Sequence, residues 1–374
     1  MSKLELIPKI LKENGQRFDL KEFKKELNLK QKEHLDTQEI IKELLKVKKL
    51  DFSNSKEVIK ALYSNNIYPE DLTLEFLIKN KDKHEIYKLL LKEKNLRQFI
   101  YQYGEKLDTQ ICSDGRIRGH WKMDGSRTGR MTCSNPNLQA FPKINKKYFK
   151  PEEGYIYVIG DYGQIELRVL AELSKDINMT KAFEEGRDIH TETASAIFNK
   201  KVIEITNVER AVGKKLNFAL CYGVSAYGLK KIIKKEAKIE ISLSQANKLI
   251  SLFYDKYPKI LCFHNKLLIS DSISSLGGKV WNDIPKGDRS RYNLPIQATA
   301  AEGLKEALKL LILELNSKWK LVNVVHDEIV IEVPKQDAEN AKLMLEKVMI
   351  LGMSKLLKKI PIEAEVRVQE NWDK

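Results

Sequence analysis

The chain has 374 residues, 42% of them hydrophobic and 32% charged, with a formal net charge of +14. That length allows two or three structural units around a real core, and the basic excess suits a polyanionic partner, because each phosphate neutralised releases counterions. No run of about 18 apolar residues is present, so no membrane-spanning helix is expected, and Cys112, Cys133, Cys221 and Cys262 stand too far apart for a zinc knuckle or a disulfide framework. The opening MSKLELIPKILKENG carries acids and lacks an apolar core of signal-peptide length. A reducing, cytoplasmic setting is therefore expected, with no membrane partner.

Residues 1–107 are rich in Lys and Glu. Leu4, Ile7 and Leu11, then Ile40, Leu44 and Leu45, then Ile86, Leu89 and Leu90 recur at helical spacing, which predicts a helical domain with solvated faces. From Asp108 to Pro151 small, polar and turn residues dominate. YIYVIGD (155–161) is apolar and β-branched and predicts a strand. Residues 162 to about 276 read as mostly helical, and Gly277, Gly278 and Pro285 punctuate a loop. Pro295 is expected to open a long helix with Ile296, Ala300, Leu304, Leu308, Leu311 and Leu315 as its apolar stripe. VNVVHDEIVIEV (322–333) predicts two strands meeting at His326-Asp327-Glu328, and EAEVRVQ (363–369) alternates like one more strand. Strand signals split by long helical stretches predict an α+β fold whose sheet is assembled from distant segments.

Two aspartates sit at strand ends, Asp161 and Asp327. Phosphoryl transfer needs charge neutralisation and an in-line nucleophile more than covalent help from the protein. Two Mg²⁺ ions about 3.5–4 Å apart supply that in polymerases as a class, and Mg²⁺ needs few protein carboxylates. A lone Asp at a strand end is, however, usually a turn residue. The polar trio at 326–328, pinched between apolar flanks, marks either a site or a tight turn, and spacing alone leaves both readings open. In ERAVGKKLNFALCYG (209–223), Arg210, Lys214, Phe218 and Tyr222 recur every four residues on one helix face, with Gly223 as a helix stop. Two cations followed by two aromatics suit a nucleoside triphosphate. An ordinary amphipathic helix with Phe218 and Tyr222 in its core fits the same spacing equally well.

Taken in order, these segments resemble family A DNA polymerases, in the polymerase region of the bacterial DNA polymerase I type. DYGQIELRVLAELSKD (161–176), ERAVGKKLNFALCYG and VVHDE (324–328) are similar to the family's three polymerase motifs. SRTGRMTCSNPNLQAFP (126–142), DIHTETASAIF (188–198) and NLPIQATAAEGLKEAL (293–308) match between and before them. The resemblance covers residues 50–374, more weakly at its N-terminal end.

The resemblance implies a right-hand architecture, with a helical thumb at 1–107, an antiparallel-sheet palm at 108–171 and 289–374, and helical fingers at 172–288. It implies template-directed addition of deoxynucleoside triphosphates to a primer–template DNA by two Mg²⁺ ions, with Mn²⁺ as a substitute. Asp161 and Asp327, with the Tyr162 carbonyl, would hold the metals, and Glu328 would be an auxiliary acid. Arg210 and Lys214 would hold the triphosphate, with His190 and Gln164 nearby and Phe218 against the sugar. Tyr222 would stack near the template position, and Glu166 would be the steric gate under the sugar. Arg130, Asn137, Gln139, Arg168, Arg289, Asn293, Gln297 and His326 would contact DNA.

The sequence departs from the family pattern in three places. Gly163 replaces the usual Ser, Glu172 stands where His is common, and the 277–291 loop is short. The first 107 residues lack an Asp-x-Glu motif and read as thumb, so no 3′→5′ proofreading domain is expected in the chain. A monomer is expected, and any replication or repair protein that works with it is not legible here. Two other readings stand beside this one. A single-subunit RNA polymerase would share the palm, but the Glu166 gate argues against it. A non-catalytic DNA-binding relic would be expected to have lost Asp161, Asp327, Lys214 or Arg210.

Overall fold

The computed structural model describes residues 3–373. It divides into two compact units, one of residues 17–118 and 145–150, the other of residues 1–16, 119–144 and 151–374.

The smaller unit is built from the helices Leu20–Leu44, Ser55–Tyr63, Leu74–Asn80 and Glu85–Tyr103. The side chains of Asp19, Asn54, Thr73 and His84 cap their first turns by accepting main-chain N–H groups. Ile41, Leu45, Val58, Leu62, Leu77, Ile86 and Leu90 form its core. Of the expected positions there, Ile40 and Leu44 are exposed, while Leu45 turns inward as expected and is joined by Ile41. The helical segment expected at 1–107 also splits. The Lys3–Asn14 helix joins the larger unit, where the Asn14 amide donates to the Leu321 carbonyl at 2.9 Å.

The larger unit is organised by one antiparallel sheet of four strands: β1 (Tyr155–Tyr162), β2 (Lys320–Val325), β3 (Glu328–Pro334) and β4 (Ala364–Gln369). Their spatial order is β4-β1-β3-β2, so the sheet joins segments some 200 residues apart, as the sequence pattern requires. Val158, Ile159, Ile329, Val330 and Ile331 are fully buried at its centre. The long helix Ala338–Ser354 crosses β1 closely: a Cβ on Gly160 would meet the Met349 sulfur at 2.4 Å. The Tyr162 hydroxyl donates to the Met349 carbonyl at 2.7 Å. Side chains alternate along a strand, so a helix packed on the 160 and 162 side leaves Asp161 on the other face.

Helices fill positions 165–269, among them Ile165–Ser174, Ile189–Phe198, Asn207–Cys221 and Pro258–Ile269. The 277–278 glycines form the turn of a short hairpin, Ile273–Ser274 paired with Val280–Trp281. The helix expected to open at Pro295 begins earlier, at Ser290, and runs to Glu314 with Pro295 inside it. Pro295 removes one main-chain donor near the start of that helix. Arg291 secures that first turn by another route. Fully buried, its guanidinium donates to the carbonyls of Leu267, Ser270 and Ile284 at 2.5 Å each. Arg291→Met would leave these three carbonyls, two of them buried, without that donor. It should lower stability in urea unfolding by about 3 kcal/mol or more; a loss below about 1 kcal/mol would show that the helix start does not depend on this anchor.

Candidate active site

The pairing of β1 with β3 sets Asp161 opposite Glu328, and the Tyr162 N–H donates to the Asp327 carbonyl at 3.4 Å. The β2–β3 hairpin closes on the pair Val325–Glu328, leaving His326 and Asp327 as its two-residue turn. His326 takes a left-handed backbone, φ 54°, a conformation rare for residues with a Cβ and found mainly in turns and sites. The same device recurs after β1. Gln164 is left-handed, φ 53°, and starts the Ile165–Ser174 helix directly beyond Asp161. Asp161 near the end of β1 and Asp327 in the β2–β3 turn therefore lie at the same end of the sheet, each beside a left-handed turn residue.

Asp161, Tyr162 and Asp327 line one cavity of about 380 Å³. Lys214, Phe218 and Tyr222 form another wall. They come from the Asn207–Cys221 helix and its cap, whose start is fixed by a reciprocal Thr206–Glu209 capping box. This helix packs closely on its neighbour, since a Cβ on Gly213 would meet the His190 carbonyl at 2.2 Å. Arg130, Gln164, Glu166, Gln297 and His326 complete the polar lining, with Ile165, Ala300 and Ala301 as apolar floor. Glu166 is held at both oxygens, by Arg130 Nη2 at 2.6 Å and by the Tyr222 hydroxyl. Burial, reinforced by the negative Glu166, pushes the Tyr222 phenol far above its ordinary range, so Tyr222 stays a neutral donor. Gln297 Nε2 reaches the same hydroxyl at 3.5 Å.

Other expected site residues lie outside this lining. Arg210 pairs with Asp188, which also caps the Ile189–Phe198 helix by accepting from the His190 N–H. His190 is buried; its Nδ1 lies 3.1 Å from the Asn217 amide, and Nε2 has no protein partner. Arg289 donates to the Gly223 carbonyl at 2.8 Å, tying the start of the 290–314 helix to the turn after Tyr222. Asn293 keeps a buried Oδ1 without a protein partner. Asn137 caps a short helical turn by accepting from the Gln139 N–H.

Two expectations need correction. Arg168, expected to contact DNA, is buried: it donates to the Gly163 and Pro361 carbonyls, pairs with Glu363 at 2.6 Å and lies over the Phe183 ring. With its donors so engaged it braces the turn after β1. Gln139 is half-buried, and its amide N–H₂ ties its segment to β2 through the Met131 and Val324 carbonyls. Glu328, expected as an auxiliary acid, is buried, does not line the cavity, and accepts from Arg367 and Trp372. Of the sequence departures, Glu172 accepts from the Lys359 and Ile360 N–H groups, and Gly163 donates its N–H to the Glu363 carbonyl. Asp188, Arg367 and Trp372 were not singled out in the sequence. Asp188 carried a signal, as a capping residue opening DIHTETASAIF; a lone Trp after an alternating strand carried none.

The donor set suits a hard cation. Among the described residues no three His, Cys, Asp or Glu side chains cluster as metal ligands. Two carboxylates at one end of the sheet, with Tyr162 lining the same cavity, match the sparse protein coordination of Mg²⁺, which keeps waters and substrate phosphates as its other ligands.

The sequence model of DNA polymerase family A matches residues 9–374. The chain belongs to DNA polymerase family A. It is 37% identical over 300 residues to DNA polymerase I of Aquifex aeolicus, covering 78% of this chain and 51% of that protein. It is 30% identical over 359 residues to DNA polymerase I of Caldicellulosiruptor bescii, covering 88% of this chain and 38% of that one. With the thermostable DNA polymerase I of Thermus aquaticus the figures are 32% over 314 residues, 78% and 37%. The chain thus spans about half or less of these relatives. Its fold matches the solved polymerase domain of Pol1 from M. smegmatis in complex with DNA primer-template and dNTP. The TM-score is 0.84 at 22% identity, over 99% of this chain and 70% of that one. The expected α+β right-hand polymerase fold is the fold of this family A chain. Among its described residues no helix is long and apolar enough to cross a membrane.

His190 gives the site a pH signature. Burial pulls its pKa from the ordinary 6.5 to about 4; Asp188 opposes that shift, while Arg210 and Lys214 add to it. The unfolded chain takes up this proton near pH 6.5, whereas the folded chain resists it until about pH 4. The contribution to stability is therefore full above pH 6.5 and is lost as pH falls towards 4, about 3 kcal/mol in all. His264, also buried with a pKa near 4, adds a second loss over the same window. Urea unfolding from pH 7.5 to 4 should show the decline. His190→Gln should make it shallower by about 3 kcal/mol; an unchanged slope would contradict a neutral, buried His190.

Proposed function

We propose that this chain extends a DNA primer along a template, joining deoxynucleoside triphosphates to the primer 3′ end. The observation that carries the proposal is the convergence of Asp161 and Asp327 with Lys214, Phe218 and Tyr222 on one cavity. Asp161, Asp327 and the Tyr162 carbonyl would hold two Mg²⁺ ions, or Mn²⁺ in their place. Bound there, these ions would neutralise the transferring phosphoryl group and lower the pKa of the primer hydroxyl.

The protein's own groups do the rest. Lys214 presents a cation to the triphosphate, and Arg210, one turn earlier on the same helix, extends that positive face once a phosphate replaces Asp188 as its partner. Phe218 offers a flat apolar surface for the sugar, and Tyr222 a ring beside the templating position. Glu166, fixed by Arg130 and Tyr222, fills the space a 2′-hydroxyl would need. That placement favours a deoxyribonucleotide substrate over a ribonucleotide one. Arg130, Gln297 and His326 surround the position of the nascent pair, and Arg289 and Asn293 extend the polar surface towards the duplex. The polymerase region takes up residues 9–374, so we propose that these residues catalyse synthesis without 3′→5′ proofreading.

Primer extension with and without Mg²⁺ tests the reaction. Asp161→Asn and Asp327→Asn keep side-chain shape but remove a charge each, so both should lose extension by at least about a hundredfold. DNA binding should stay within about threefold, because phosphate contacts made elsewhere are untouched. Near-wild-type extension by either variant would sink the two-metal assignment. Glu166→Ala should raise ribonucleotide relative to deoxyribonucleotide incorporation by about tenfold or more. Competing the two substrates on one primer reads this directly, and an unchanged ratio would place the gate elsewhere.

A further inference from the structure

Glu328 stands beside Asp327 in the chain and directly opposite Asp161 across the β1–β3 pair. Opposed residues on one sheet face have Cβ atoms about 4.5–5.5 Å apart. By position alone, Glu328 is within reach of any cation that the two aspartates hold. Its carboxylate is nevertheless directed elsewhere. Oε1 accepts the Trp372 indole N–H at 2.6 Å, and Oε2 accepts Arg367 Nη2 at 3.0 Å. Both donors come from β4 and the residues that follow it. Arg367 lies opposite Ile159, two residues along β1 from Asp161 and so on the same face. Trp372 is wholly buried and Glu328 only 3% exposed. A buried carboxylate needs its charge balanced and its lone pairs satisfied, and this pair of donors does both.

We propose that Arg367 and Trp372 are positioning residues that keep Glu328 off the metal edge, so that the cations do not gain its carboxylate as a further ligand. This rests on the metal assignment proposed above. The physical reason lies in coordination number. Mg²⁺ in a nucleotidyl-transfer site exchanges waters for substrate phosphate oxygens. A third protein carboxylate would compete with those oxygens, tightening the ion in the absence of substrate and slowing turnover. The donors that orient groups beside a metal commonly change its affinity by about 10–100-fold when removed. Here removal should strengthen binding, the reverse of what general loosening of the fold would do.

The test is Mn²⁺ binding to the protein without DNA or nucleotide, followed by electron paramagnetic resonance of the free ion. Trp372→Phe removes the indole N–H, keeps an aromatic ring and changes no charge. Arg367→Lys keeps the charge but loses the guanidinium fork, and its partly exposed side chain makes it the variant to rely on should Trp372→Phe fail to fold. Each should bind Mn²⁺ about tenfold more tightly than wild type while the maximal extension rate falls. In a Glu328→Gln background the same two changes should alter affinity by less than about twofold, since no carboxylate is left to release. Unchanged affinity in the folded single variants, or tightening that persists with Glu328→Gln, would overturn the proposal. Asp161→Asn separates the two claims. If it leaves Mn²⁺ binding intact, the metal assignment itself fails; if it abolishes binding while Trp372→Phe does nothing, only the positioning role fails.

Discussion

The register of β1 against β3 is the constraint on which the site depends. Asp161 and Asp327 are 166 positions apart in the sequence, and pairing brings them together: Asp161 opposes Glu328, and Tyr162 donates to the Asp327 carbonyl. A slip of one residue would turn Asp161 onto the opposite face. The Ala338–Ser354 helix prevents that slip. It lies so close to β1 that a Cβ at 160 would have to displace the Met349 side chain, and it accepts the Tyr162 hydroxyl. Arg168 adds a second lock by gripping the carbonyls of Gly163 and Pro361, on either side of the β1–β4 junction.

Around the two aspartates, opposite charges are matched within the protein. Arg130 holds Glu166, Arg210 holds Asp188, and Arg367 holds Glu328. Under the proposed reaction the Arg210–Asp188 pair is exchangeable, because a triphosphate offers the cation an alternative anion. In the Arg367–Glu328 pair the carboxylate is buried and the arginine partly exposed. The site thus combines a partner that substrate can displace with pairs that hold Glu166 and Glu328 in place, which separates recognition from the geometry of the metal edge.

Much of the fold was legible in the sequence for a simple reason. β-Branched apolar runs around 161 and 327 mark strands, although the acids in them read as readily as turn residues, and the four-residue repeat from Arg210 to Tyr222 specifies a helix face regardless of tertiary context. Other assignments failed where the deciding partner is distant. Pro295 reads as a helix start because the anchoring of Arg291 on Leu267, Ser270 and Ile284 leaves no local trace. Ile40 and Leu44 read as core because the register of an amphipathic helix is ambiguous by one residue when Ile41 and Leu45 flank them. Arg168 and Glu328 carry the right chemistry for a surface role. They are withdrawn from it by Glu363 and Trp372 respectively, each at least 44 positions away.

The most direct measurement is anomalous diffraction from crystals of the chain with primer–template DNA, a dideoxy-terminated primer, an incoming deoxynucleoside triphosphate and Mn²⁺. The account predicts two manganese peaks about 3.5–4 Å apart, both in contact with the carboxylates of Asp161 and Asp327, with Glu328 still bonded to Trp372. Manganese bound away from these aspartates, or a nucleotide seated without metal between them, would contradict it.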